Sequence, residues 1–234
     1  MYGQVMQQYV NYMCNHYQEQ CEIVFDGYGN GHSIKDQEHD RRAAGQDLCP
    51  DVAVEENMPA YKNRNAFFTN NMSEKLFIEI ISQQLQKCHY IVHQAQNDAD
   101  TLVVKTALTI ASRDIPVTVV PDDTDILAML VHHITPTMAD IYLLSDMPAR
   151  GTAQVHVTPV HSVRYAIGDK AVQQLLVVHA LSGCDTTSAL FGRGKAIIYK
   201  KILQSSNILS LTDKPDHLAH RVKKSRTLVL GCWR

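Results

Sequence analysis

The chain has 234 residues, 45% of them hydrophobic and 20% charged, with a formal net charge of −2. That is enough apolar sequence to bury a sizeable core, and it excludes a global basic field, so any polyanion must be met by a local basic patch. The six cysteines are scattered with no C-x-x-C pair, which argues for reduced thiols and against both a disulfide framework and a structural zinc site. No run approaches the roughly eighteen apolar residues of a membrane span, and the first residues lack the layout of a signal peptide. The expectation is an intracellular protein, nuclear or cytoplasmic, with no membrane partner.

The first element predicted is a helix over residues 5–17, where Val5, Tyr9, Met13 and Tyr17 recur four apart. "CEIVFDGYGNG" predicts a short buried strand, Cys21–Phe25, broken by a glycine-rich loop. "SIKDQEHDRRAAG" predicts a charged helix, and residues 46–64, which contain Pro50 and Pro59, a loop. Leu76, Phe77, Ile80, Ile81 and Leu85 fall at three- and four-residue spacing and predict a long helix from about Ala66 to Lys87. Strand and helix then alternate. "HYIVHQA" is a strand, "DADTLVVKTALTIASRD" a helix, "IPVTVVP" a strand, "DTDILAMLVHHI" a helix and "DIYLLSD" a strand. "AQVHVTPVHSVRYAI" adds a hairpin, and "DKAVQQLLVVHALSG" is a helix ending at Gly183. A Gly-x-Gly-Lys turn and a further helix occupy 188–205, and residues 206–234 form a polar, poorly patterned tail.

Strands alternating with helices imply an α/β fold with a mainly parallel central sheet and helices on both faces. Right-handed crossovers put the strand-to-helix turns on one sheet edge, where open sheets of this kind bind ligands. Five acids follow predicted strands: Asp26 after "EIVF", Asp98 and Asp100 after "YIVHQA", Asp123 and Asp125 after "VTVVP". Asp185 lies just past Gly183. Crowded carboxylates repel one another, and a hard divalent cation offsets that repulsion. Helix capping by Asn97 and Asp122, with acids in the first turn meeting the helix dipole, is the other account of each pair. Two D-x-D pairs plus Asp26 and Asp185 exceed what capping alone requires.

These motifs resemble the PIN-like superfamily in its flap-endonuclease branch of structure-specific 5′ nucleases. "VFDGYGNGHSIKDQEHDRR" looks like that branch's V-F-D-G segment with its basic helix. "AQNDADTLVV" is similar to the A-P-x-E-A-E-A segment, "PDDTDILAM" to E-D-x-D-x-L, and "LSGCDTTSALFGRGKA" to G-x-D-Y followed by a helix-hairpin-helix turn. The four occur in the family's order and cover about residues 20–205, which defines the expected nuclease-type domain, 1–205. The resemblance implies that Asp26, Asp98, Asp100, Asp123, Asp125 and Asp185 hold one or two Mg²⁺ or Mn²⁺ ions. It implies that Lys35, Arg41 or Arg42 contacts the scissile phosphate, and that Gly192, Gly194 and Lys195 form a turn whose backbone N–H groups hold a duplex phosphate. A plain helix-entry turn is the other reading of that G-x-G-K stretch.

Two departures follow. The family places another strand, with its own metal-site Asp, upstream of V-F-D-G, whereas only Glu19 and Glu22 are acidic among the 25 residues before Asp26. The domain is therefore expected to be N-terminally incomplete. The helical arch of flap endonucleases is expected to shrink to the segment between Gly45 and Lys87. Elsewhere, His89 and His93 are four apart, but they lie on a predicted strand without an H-E-x-x-H glutamate, so zinc is not expected there. His132 and His133 are expected to meet a helix dipole. Cys184, beside Asp185 and near His179, is read as a structural thiol, and "HRVKKSR" as a solvated basic face, with phosphate binding or nuclear import as the alternatives. The expected function is metal-dependent hydrolysis of phosphodiesters in DNA or RNA. The rival is a catalytically inactive nucleic-acid-binding or protein-interaction module on the same fold.

Overall fold

The computed structural model describes residues 1–17, 21–27, 54–55, 57–60, 67, 70–96, 98–121, 125–145, 156–181 and 226–230. They form an α/β fold in two compact units, one spanning Met1–Ala99 and the other Asp100–Leu230.

In the first unit α1 spans Tyr2–His16, β1 Glu22–Phe25, α2 Asn71–Lys87 and β2 Ile91–Gln94. The buried face of α1 is Tyr2, Met6, Val10 and Met13. That stripe is turned about one residue from the expected Val5–Tyr9–Met13–Tyr17 line, and Val5 and Tyr9 are only half-buried. Tyr9 still meets α2, with its ring edge-on to Phe77 at 5.9 Å between centroids. Helix α2 begins later than the apolar periodicity suggests, because Asn70 caps it: its side chain accepts from the Ser73 N–H at 2.9 Å. Glu74 adds a negative charge to the first turn, where the helix dipole favours it. Phe77, Ile78, Ile81 and Leu85 form its inward face. All four residues of β1 are buried, and β1 pairs in parallel with β2 from Glu22 opposite Ile91 to Phe25 opposite Gln94.

In the second unit α3 enters from Ala99 and runs to Ala111, followed by β3 Val117–Val120, α4 Asp125–His133, β4 Ile141–Ser145, β5 His156–Pro159, α5 Val160–Leu181 and β6 Arg226–Leu230. Its strands neighbour one another in the order β6-β3-β4-β5. β3 is buried throughout and lies parallel to both β4 and β6, while β4 and β5 are antiparallel. The continuous apolar run of β3 fits a strand covered on both faces.

Two sequence expectations change here. β5 is only four residues long, and the chain passes at once into α5, so "VHSVRYAI" is helical and not the second half of a hairpin. Gly168 breaks α5 with φ +77°, a conformation that disfavours any side chain. In the stretch read as unpatterned tail, Arg226–Leu230 is a strand in register with β3, Val117 opposite Arg226 through Val120 opposite Val229.

α4 packs against α5. His132 Nδ1 lies 2.8 Å from the Val172 carbonyl. Arg164 donates to the carbonyls of Val131 and His132, at 3.1 and 3.4 Å, so a cation closes the end of α4 where unpaired carbonyls and the dipole favour one. His132 therefore ties α4 to α5. Among the described residues no helix is long and apolar enough to cross a membrane.

Partial desolvation, with the neighbouring His132, lowers the pKa of His133 from its ordinary value of 6.5, although its side chain is exposed at the end of α4. A histidine whose pKa is lowered in the fold takes up its proton more readily when unfolded, so a small, solvent-screened contribution is present above about pH 6.5 and is lost as pH falls below it. Denaturant midpoints measured at pH 5 and pH 7.5 are expected to show a smaller acid-side loss in His133→Gln than in the parent chain. An unchanged acid-side loss contradicts this.

Candidate functional site

The first unit brings two of the expected carboxylate segments together. Parallel pairing of β1 and β2 makes both strands end on the same edge. The ladder continues one step beyond, with the Ala95 N–H donating to the Phe25 carbonyl at 3.0 Å. Asp26 follows β1, and its Oδ1 accepts from the Ala99 N–H at 2.9 Å, capping the first residue of α3 from outside the helix. Asp98 is the residue immediately before that amide, and both acids are half-buried.

Gly27 shows why this approach requires the local sequence. A Cβ at position 27 would overlap the Ala95 carbonyl oxygen and crowd the Ala95 and Gln96 backbone. These are main-chain atoms that cannot rotate away, so glycine is the residue that lets the end of β1 lie on the β2–α3 turn. The D-G of "VFDG" thus has two separate tasks, a cap and a close approach.

In the second unit Asp125 opens α4 and is 8% exposed, as is His179 on α5. His179 Nε2 lies 3.2 Å from Asp125 Oδ2. Burial strengthens this contact and also makes it costly to break, since removing one partner of a buried pair leaves the other without it. Asp125 also sits where the dipole of α4 favours negative charge. Asp100, in the first turn of α3, is half-buried.

The remaining expected site residues, Lys35, Arg41, Arg42, Asp123, Asp185, Gly192, Gly194 and Lys195, lie outside the described residues, as do Asn97, Asp122 and Cys184. Among the described residues no three His, Cys, Asp or Glu side chains gather where they could hold a metal ion. His89 stands in a left-handed turn (φ +65°) after α2, and His93 Nε2 contacts Glu22 Oε2 at 3.0 Å across the β1–β2 pair.

Sequence reasoning missed the Asp125–His179 and Glu22–His93 contacts. One local signal existed for His179: it continues the inward face Val172–Leu175 of α5, where a polar residue needs a partner. Glu22 carried a similar signal, as an acid in an otherwise apolar buried strand.

No protein-family model matches the chain, and neither the curated proteins nor the solved structures contain a match. The functional reading therefore rests on the chain's own residues.

The capping geometry predicts an ordered set of stabilities. Asp26→Ala is expected to cost ~1 kcal/mol of unfolding free energy, and Asp26→Asn much less, because asparagine keeps the accepting oxygen. Gly27→Ala is expected to cost more than either, roughly 1–3 kcal/mol, since main chain must move to admit the methyl group. Urea unfolding of the three variants checks the order. An Asp26→Ala chain as stable as the parent removes the cap from the account.

Proposed function

We propose that the chain is a PIN-like domain of the flap-endonuclease type, with a mainly parallel central sheet flanked by helices. Its activity is divalent-metal-dependent hydrolysis of phosphodiesters in DNA or RNA. The observation that carries this reading is the locking of Asp26 onto the turn that bears Asp98, at the shared end of two parallel strands. That edge is where open α/β sheets place their chemistry.

The donor set fits the metal. Asp26 and Asp98 offer hard carboxylate oxygens, the type magnesium and manganese prefer. Asp26 accepts the Ala99 N–H through one carboxylate oxygen, which holds its side chain at the strand end. Asp26 and Asp98 would hold the ion, with Asp100, Asp123, Asp125 and Asp185 as the further acids of the resemblance. A bound ion of this kind supplies Lewis-acid polarisation of the phosphate and a more acidic water. The chain's own cations, Lys35, Arg41 and Arg42, would steady the phosphate charge.

One observation favours the rival, a nucleic-acid-binding or protein-interaction module without catalysis. Two of the described acids have structural work: Asp26 caps a helix and Asp125 meets His179. The two readings differ in what charge removal does. Asp26→Asn and Asp98→Asn keep the shape and hydrogen-bonding oxygens while deleting the negative charge that a cation needs.

Labelled flap, hairpin and single-stranded substrates, incubated with Mn²⁺, give the test. Cleavage that falls at least ~10–100-fold in the Asp26→Asn/Asp98→Asn double variant, and stops with chelator, supports the enzyme. Cleavage by the parent that survives the double substitution contradicts the metal assignment. Salt-dependent binding without cleavage supports the rival.

A further inference from the structure

The first unit contains a group of thiols that the proposed chemistry does not use. Cys14 lies on the exposed side of α1, while Cys88 is half-buried at the C-cap of α2. The two helices are joined along their length: Tyr2 packs near Phe67 just before α2, Tyr9 meets Phe77, and past the ends of both helices the Tyr90 hydroxyl donates to the Tyr17 carbonyl at 3.3 Å. Cys14 is three residues before Tyr17 and Cys88 two before Tyr90, so that last contact brings their segments side by side. The Cys14 side chain is near enough to both the Cys88 thiol and the Tyr90 hydroxyl to interact with them. Cys21 is close to Tyr90, but it is buried and its Sγ points to the Glu22 carbonyl at 3.7 Å.

We propose that Cys14 and Cys88 form a reversible disulfide when the protein meets a low-molecular-weight disulfide such as oxidised glutathione, fastening α1 to the C-terminal end of α2. Cys14 is the entry point, because it is the exposed thiol of the pair. Its thiolate attacks one sulfur of the oxidant, breaking that S–S bond and releasing one thiolate. The Cys88 thiolate then attacks the Cys14 sulfur of the mixed disulfide and displaces the second glutathione thiolate. Two protein thiols are oxidised to one disulfide, one glutathione disulfide is reduced to two thiols, and the two protons go to solvent or to the leaving thiolates. Burial and the adjacent Cys14 push the Cys88 thiol above its usual pKa. Cys88 is therefore the second reactant, and closure depends on the small fraction of it that is thiolate. The bond requires the two side chains, carried by segments that the Tyr90–Tyr17 hydrogen bond holds together, to rotate into disulfide geometry. In a reducing compartment a bond of this sort is transient and redox-sensing.

The experiment treats the full chain with oxidised glutathione at pH 7 and pH 8, traps remaining thiols by alkylation, digests it and maps the linked peptides by mass spectrometry. The expected product joins the Cys14 and Cys88 peptides, consumes two alkylatable thiols, reverts with dithiothreitol and forms roughly tenfold faster at pH 8. The oxidised chain should melt higher by on the order of 5–10 °C. Cys88→Ser should stall with glutathione held on Cys14, and Cys21→Ser should still close. Three results overturn the proposal: glutathione left on Cys14 of the parent chain while Cys88 is alkylated, a Cys14 link to another cysteine, or no reaction at Cys14.

Discussion

The end of β1 lies directly on the turn between β2 and α3, and the candidate site in the first unit depends on that contact. Two adjacent residues make it possible by opposite means. Gly27 contributes by having no side chain, so main chain can approach main chain at Ala95. Asp26 contributes a charged acceptor to the Ala99 N–H, which would otherwise be one of the unpaired donors at a helix start. The hydrophobic part comes earlier in the chain, from Ile23, Val24 and Phe25, which have no exposed surface and fix β1 in the core. The strand brings the acid to the edge, and the glycine lets it settle there.

Acidic residues carry a double meaning, and three of the described ones have a physical task of their own. Asp26 caps, Asp125 meets a buried histidine, and Glu22 contacts His93 across a parallel pair. A purely structural account explains these contacts one at a time. The helix dipole adds a reason for aspartate over asparagine at position 26, since a negative charge is favoured beside the first residue of α3. Asparagine caps about equally well by hydrogen bonding alone, without that dipole contribution.

Elements held by local pattern were legible in the sequence. β1, β3 and β4 read as short continuous apolar runs because parallel strands buried on both faces leave little room for alternation. The inward face of α2 followed its three- and four-residue spacing, while its start was misplaced because Asn70 ends the approach to the helix irrespective of the residues before it. What depends on distant partners was hidden. Arg226–Leu230 is a strand by virtue of its pairing with β3, more than a hundred positions earlier. Asp125 and His179 meet only because α4 packs on α5. The crowding at Gly27 was likewise invisible, since "DG" in a sequence is an ordinary turn signal. The same holds for Cys14 and Cys88, which no spacing connects.

The central claim is that Asp26 and Asp98 form one cation-attracting edge organised by the β1 contact. Amide-resolved NMR with sub-stoichiometric Mn²⁺ tests it directly, because the paramagnetic ion broadens signals close to where it binds. The account predicts that the Gly27 and Ala99 amides broaden first in the parent chain and stay sharp in the Asp26→Asn/Asp98→Asn chain. Broadening centred elsewhere, or equally strong at Gly27 and Ala99 in the doubly substituted chain, would contradict it.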